Sequence, residues 1–268
     1  MTTRDQANQE ITNQQPAQPQ PQDCACGGNG SCNCNTPSYV YAIGQYRPFF
    51  SSLGLKNEFT AAASALNVKP DDYYAVFSYT VNAPGNSPLT VKPYAYLAEQ
   101  ACWVLSINDI DTYLMVPQSE ISLGSLVAGL NSSNSAATFV VTGKMGPAVA
   151  ASFCGDLKLS LVITDNIQPL SNSSIALMIR PNDGIEEPSR AINFIASNID
   201  TIAQQLELNS LRLQSLSYQF SPTKNRKLVE VIFGFEKAGV ESFYCCGVDV
   251  TDQNPFLSYP LRAYVPVN

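Results

Sequence analysis

The pattern of apolar and polar positions changes abruptly at residue 39. Before it, residues 1–37 hold Met1 and Ile11 as their only large apolar side chains, among Gln, Asn, Pro, Gly and Cys. Such a segment cannot offset the entropy of ordering its backbone, so it is expected to be a disordered tail. From Tyr39 the run Tyr39-Val40-Tyr41-Ala42-Ile43-Gly44 reads as a β-strand closed by glycine. Behind Ser51 and Ser52, which can cap a helix, Leu55, Phe59, Ala62, Ala63 and Leu66 recur at three- and four-residue spacing. That spacing predicts an amphipathic helix packed on the first strand. The stretch from Pro70 to Pro93 stays open between a short helix and a strand, because Tyr73, Tyr74, Phe77 and Tyr79 suit either. Next, Cys102–Ile107 and Tyr113–Val116 flank a turn bearing Asp109 and Asp111, which predicts a hairpin.

A short helix is expected over Ile121–Leu130, and strands over Thr138–Thr142 and Leu157–Thr164, with the loop from Gly146 to Gly155 between those strands. The strongest helical signal starts near Glu187-Pro188, where an acidic group suits the N-terminal dipole and proline the first turn. Ile192, Ile195, Ala196, Ile199, Ile202, Ala203 and Leu206 then form one stripe. Strands over Leu211–Phe220, Lys227–Phe235 and Phe243–Val250, and a last one at Leu261–Val265, close the chain. Strands mixed with a few helices, without a regular βαβ alternation, indicate an α+β fold around a mostly antiparallel mixed sheet. The organisation is thus a Gln/Pro-rich and Cys/Gly-rich tail over 1–37 and a folded domain over 38–268.

Composition removes several function classes. There is no histidine in the 268 residues, so the chain cannot build a Ser-His-Asp or Cys-His catalytic pair or an H-E-x-x-H zinc site. A formal charge of −7 argues against a protein that binds by neutralising phosphates, so nucleic acid is not an expected partner. No apolar run is long enough to span a bilayer, and the start MTTRDQANQE is too polar for a signal peptide. The expected compartment is the cytoplasm, without a membrane partner, and there the eight cysteines read as thiols or metal ligands rather than disulfides.

Among the cysteines, Cys24, Cys26, Cys32 and Cys34 form a C-x-C-x5-C-x-C arrangement threaded with glycine. Four thiolates there are a candidate tetrahedral zinc site, although the pairs are spaced more tightly than usual knuckles and no apolar residue packs over them. Cys102 lies in an apolar strand beside the single tryptophan and reads as a small buried hydrophobe. Cys154, in a glycine-flanked loop, is the candidate nucleophile if the chain has thiol chemistry, with a carboxylate or lysine as base. Cys245 and Cys246 are adjacent in a strand and face opposite ways, which suits core packing. The aspartates Asp109, Asp111, Asp249 and Asp252 read as turn residues, and Lys224-Asn225-Arg226-Lys227 as a solvated hairpin tip, with docking of an acidic peptide as the alternative.

The order of these segments resembles a known family. The residues carrying it are YVYAIGQYRPFFSSLGLKNEF at 39–59, YLAEQACWVLSINDIDTYLMVP at 96–117 and GPAVAASFCGDLKLSLVITDNI at 146–167. RAINFIASNIDTIAQQ at 190–205, KNRKLVEVIFGF at 224–235 and CCGVDVTDQNPFLSYPLRAYVPV at 245–267 continue it. Together they are similar to the C-terminal domain of unknown function in the cyanobactin, patellamide-type, maturation proteases PatA and PatG. The resemblance implies a role in maturing ribosomally made peptide natural products (RiPP biosynthesis), without the protease or macrocyclase module. It supplies no catalytic residues. The expectation is an accessory domain that binds a precursor peptide or a subtilisin-type maturation protease, or that forms a homodimer to organise them. An exposed strand edge or aromatic patch would serve as the contact surface. The competing expectations are a peptide-modifying enzyme using the Cys154 thiol and a metal-binding regulatory module built on the tail cysteines.

Overall fold

The computed structural model describes residues 38–83, 89–131, 137–146, 154–155, 157–170, 179–204, 212–223, 225–237 and 239–265. Of Ala203, Gln204 and Lys237 only the backbone is described. The candidate zinc ligands Cys24, Cys26, Cys32 and Cys34 lie outside the described residues, as does Lys224.

The expected first strand is β1 (Tyr39–Phe49), and the expected helix is α1 (Leu53–Ala65), whose N-cap Ser52 accepts a hydrogen bond from the Leu55 amide. The open stretch resolves into α2 (Tyr73–Phe77), capped by Asp72, and two short paired strands, β2 (Val81–Asn82) and β3 (Thr90–Val91). After α3 (Ala95–Gln100) comes the expected hairpin of β4 (Cys102–Ile107) and β5 (Ile110–Pro117). Its turn residues Asn108 and Asp109 both have positive φ, the backbone that a two-residue hairpin turn requires and that Asn and Asp tolerate. Then follow α4 (Glu120–Gly129), held by a Ser119/Ser122 capping box, β6 (Phe139–Met145) and β7 (Ser160–Pro169). The long helix is α5 (Glu187–Gln204), and the chain ends with β8 (Arg212–Ser221), β9 (Leu228–Lys237), β10 (Val240–Asp249) and β11 (Phe256–Tyr264).

The α+β class with mostly antiparallel pairing is what the chain adopts, with the main strands divided between two sheets. β1-β4-β5-β7-β6 close into a barrel in which only the β5–β7 pair is parallel. The second sheet has the order β11-β10-β9-β8 and is antiparallel throughout. β1 is buried continuously from Val40 to Gly44 instead of at alternate positions, because it has a core on each face. Val40, Ala42 and Tyr46 join Trp103, Leu105, Tyr113, Met115 and Val141 in a core that α1–α4 complete with Phe59, Phe77, Leu97 and Leu126. Tyr41 and Ile43 face α5 instead.

α5 is apolar on two sides for the same reason. Ala191, Ile195, Ile199 and Ile202 pack on Val229, Val231, Phe233, Phe235 and Val248 of the second sheet. Ala196, on the opposite side, meets Tyr41, Ile43 and Val140 of the barrel. Polar contacts fix this helix at its start: the Arg190 guanidinium donates to the carbonyls of Val250 at 2.7 Å and Gln253 at 3.2 Å, and also to that of Asp252. Asn193 donates to the Tyr41 carbonyl at 2.6 Å. The segment leading into α5 hydrogen-bonds to β1 through Asn182 and Gly184, and at Gly184, with φ +62°, a Cβ would fall 2.0 Å from the Tyr41 carbonyl oxygen. Only glycine fits that approach.

The expectation of free thiols fails for two residues. Cys102 and Cys154 form a disulfide, their Cα atoms 5.8 Å apart, within the span such a bond requires. The fold brings β4 under the segment entering β7, across 52 residues of sequence, which no local pattern reveals. Cys245 and Cys246 are free and buried, as expected. Among the described residues no helix is long and apolar enough to cross a membrane.

Candidate functional site

A groove of about 1240 Å³ lies beside the second half of β1, between the start of α2, the end of α4 and the β4–β5 hairpin. Arg47 stands on its wall and donates to Asp111 Oδ2 at 2.7 Å, while Ser106 Oγ donates to Asp111 Oδ1 at 2.6 Å. Asp72 is turned inward to accept from the Ala75 amide at 2.9 Å. Lys69, Asp71 and Asp109 are exposed along the rim. Aspartate thus outnumbers Lys and Arg in the lining. Tyrosines also line it: Tyr46 donates its hydroxyl to the Leu126 carbonyl at 2.7 Å, and burial pushes its phenol above the usual range. Burial also lifts Tyr73, with Arg47 opposing and Asp71 reinforcing the shift. Tyr74 is half-buried on the same wall. The groove offers phenol, carboxylate, guanidinium and hydroxyl groups, and neither cysteine nor histidine lines it.

The candidates read from sequence disperse. Asp109 and Asp111 both reach the groove, one as a turn residue and the other as the partner of Arg47. Asp249 lies in the second sheet, almost fully buried, where it accepts from Arg226 and from the Thr251 amide. Burial pushes its carboxyl up, but these hydrogen bonds outweigh it and hold the carboxyl below the ordinary range. Arg226 also stacks on Phe256 at 5.2 Å, and Lys227 pairs with Glu187 at 2.6 Å, so these two cations of the hairpin are already engaged. Cys154 corrects the nucleophile reading outright: its sulfur is in the disulfide and has no solvent exposure. Among the described residues no three His, Cys, Asp or Glu side chains converge on a point where a metal ion could sit. Sequence reasoning passed over Arg47 and Lys69, which belong to no motif and meet only through the fold. Neither carried a signal: the strand read from the sequence closed at Gly44, whereas β1 runs on through Arg47 to Phe49.

A second surface lies on the other sheet. Directly paired residues of neighbouring strands share a face, so Leu216, Tyr218 and Phe220 of β8, paired with Phe233, Val231 and Val229, point to the α5 side. The helix packs on β9 and β11, and the edge strand beyond it keeps Tyr218 50% and Phe220 61% exposed, their rings 6.0 Å apart. On the opposite face Glu230 gathers hydrogen bonds from Tyr259 and Gln219, with Arg262 at 3.6 Å. Burial raises the Glu230 carboxyl, and these partners more than reverse it.

Comparison with known proteins places this architecture. The family model described as "PatG Domain" matches residues 39–230. No curated protein matches the chain. A solved structure titled "PatG Domain of Unknown Function" superposes with a TM-score of 0.62 at 14% identity, covering 85% of this chain and 98% of that one. At that identity the likeness is one of fold.

Proposed function

Since the chain belongs to the PatG domain family, we propose that it is a non-catalytic accessory domain in the maturation of ribosomally made, cyanobactin-like peptides. It takes an extended segment of the precursor peptide, or of the subtilisin-type maturation protease, into the groove beside β1. The observation that carries this reading is the groove itself. Its volume of about 1240 Å³ exceeds the roughly 300–1,000 Å³ of ordinary small-molecule sites. Its lining combines tyrosine rings and apolar side chains with hydrogen-bonding groups, a surface suited to main-chain amides and mixed side chains. The aspartate excess favours a segment carrying Lys or Arg.

The test is titration of the full chain with fluorescently labelled segments of a cyanobactin-like precursor and of a subtilisin-type maturation protease. Micromolar binding is expected, and Asp71→Lys, at an exposed position, should weaken a lysine-bearing segment by about tenfold while sparing a neutral one. Absence of binding by every segment, or binding of a lysine-bearing segment indifferent to Asp71→Lys, would remove the groove from consideration.

A further inference from the structure

The second sheet ends in two edges of opposite character. β11 carries Pro260, which cannot donate to a further strand, the cation Arg262, and two register shifts against β10. These are the devices by which edge strands are kept from pairing. β8 carries such devices only at its start, the cation Arg212 and one bulge: from Gln214 to Ser221 it contains no proline and no charged residue. Among the described residues no strand pairs with its outer side. The two glutamates of β9 next to it are each held by a β8 glutamine, Gln214 donating to Glu236 at 2.7 Å and Gln219 to Glu230.

We propose that a second copy of this chain occupies that edge, β8 against β8 in antiparallel register, joining two four-stranded sheets into one. A two-fold interface requires a patch complementary to itself, and β8 has that property. With the axis at Tyr218, Leu216 faces Phe220 of the second copy, the two Tyr218 rings adjoin, and Ser217 meets Gln219 of the second copy. Apolar groups thus meet apolar groups on the α5 side, and amides meet hydroxyls on the other. The exposed Tyr218 and Phe220 become the cross-strand pairs that stabilise a sheet. Charge also selects this surface: each copy carries −7, so contact through most faces opposes like charges, whereas Gln214–Ser221 brings none. The seven residues after the bulge span about 24 Å of strand and form about seven main-chain hydrogen bonds across the axis.

The experiment is sedimentation of the full chain over a concentration series, with amide hydrogen exchange read on residues 212–221. A monomer–dimer equilibrium is expected, with β8 amides protected more strongly at high concentration than at low. Tyr218→Lys and Phe220→Lys, both at exposed positions, should each raise the dissociation constant by about tenfold or more with an unchanged circular dichroism spectrum. Phe256→Lys on the other edge should leave it unaltered. A chain that stays monomeric at every concentration would overturn the proposal. So would a dimer indifferent to both β8 lysines, or an edge protected only when a different peptide is added.

Discussion

Asp249 shows how one buried carboxylate acquires a pH dependence. It is 3% exposed, and burial alone would raise its pKa, yet Arg226 and the amide and hydroxyl of Thr251 reverse the shift. Glu187, held down first by its hydrogen bond from Lys227, and Glu230, where Tyr259, Gln219 and Arg262 overcome burial, behave alike. A carboxyl whose folded pKa is depressed contributes stability that is present above its unfolded value and is lost as pH falls through the folded one. Unfolding free energy should therefore be level at neutral pH and decline once pH drops below about 4, the unfolded carboxylate value. Asp249→Asn should lower the neutral plateau by about 1.5–3 kcal/mol, the range for a hydrogen bond to a charged group, and make the acid decline shallower. Urea midpoints measured for both proteins between acid and neutral pH check it. An identical acid slope in the variant would locate the linkage elsewhere.

Among the elements, α5 carries the most structural consequence, because it packs against both the barrel and the second sheet. Ala196, fully buried, sits where the helix meets Tyr41 and Ile43. Ala196→Leu should overpack that contact and cost about 1–3 kcal/mol, measured by chemical denaturation. Ile199→Ala on the sheet side instead leaves a cavity and should cost about 2–5 kcal/mol. The stripe from Ile192 to Ile202 was legible because helical periodicity records burial on the element itself. What it could not record was the second partner: Ala196 was read into the one stripe and Asn193 carried no signal, whereas both meet β1. The hairpin at Asn108-Asp109 and the Ser52 cap were equally legible, since both are local chemistry. The groove was not, for Arg47 of β1, Lys69 of the α1–α2 connection and Asp111 of β5 come together only in the fold. A strand edge was expected as a contact surface, and that β8 forms such an edge could be read only once the fold showed which strand ends the sheet.

At the scale of the whole molecule, the Cys102–Cys154 bond is the covalent tie of the barrel. It joins the first residue of β4 to the segment entering β7 over the apolar cluster of Val104, Leu114, Leu157 and Leu161. Closing a loop across 52 residues restricts the unfolded chain and is worth at most about 4 kcal/mol, with about 2–4 kcal/mol the usual range. For a domain of this size that corresponds to a fall in Tm of about 5–15 °C when the bond is absent. Cys102→Ala and Cys154→Ala each remove the same bond, so the double variant should be little less stable than either single one. Two independent buried side chains would give losses that add. Thermal unfolding of the three variants with and without a dithiol reductant separates the cases. The reductant should lower the Tm of the parent chain toward that of the variants and leave the variants unmoved. Additive losses, or a parent chain indifferent to reductant after full unfolding and refolding in its presence, would mean that packing rather than the covalent link holds β4 to the segment before β7.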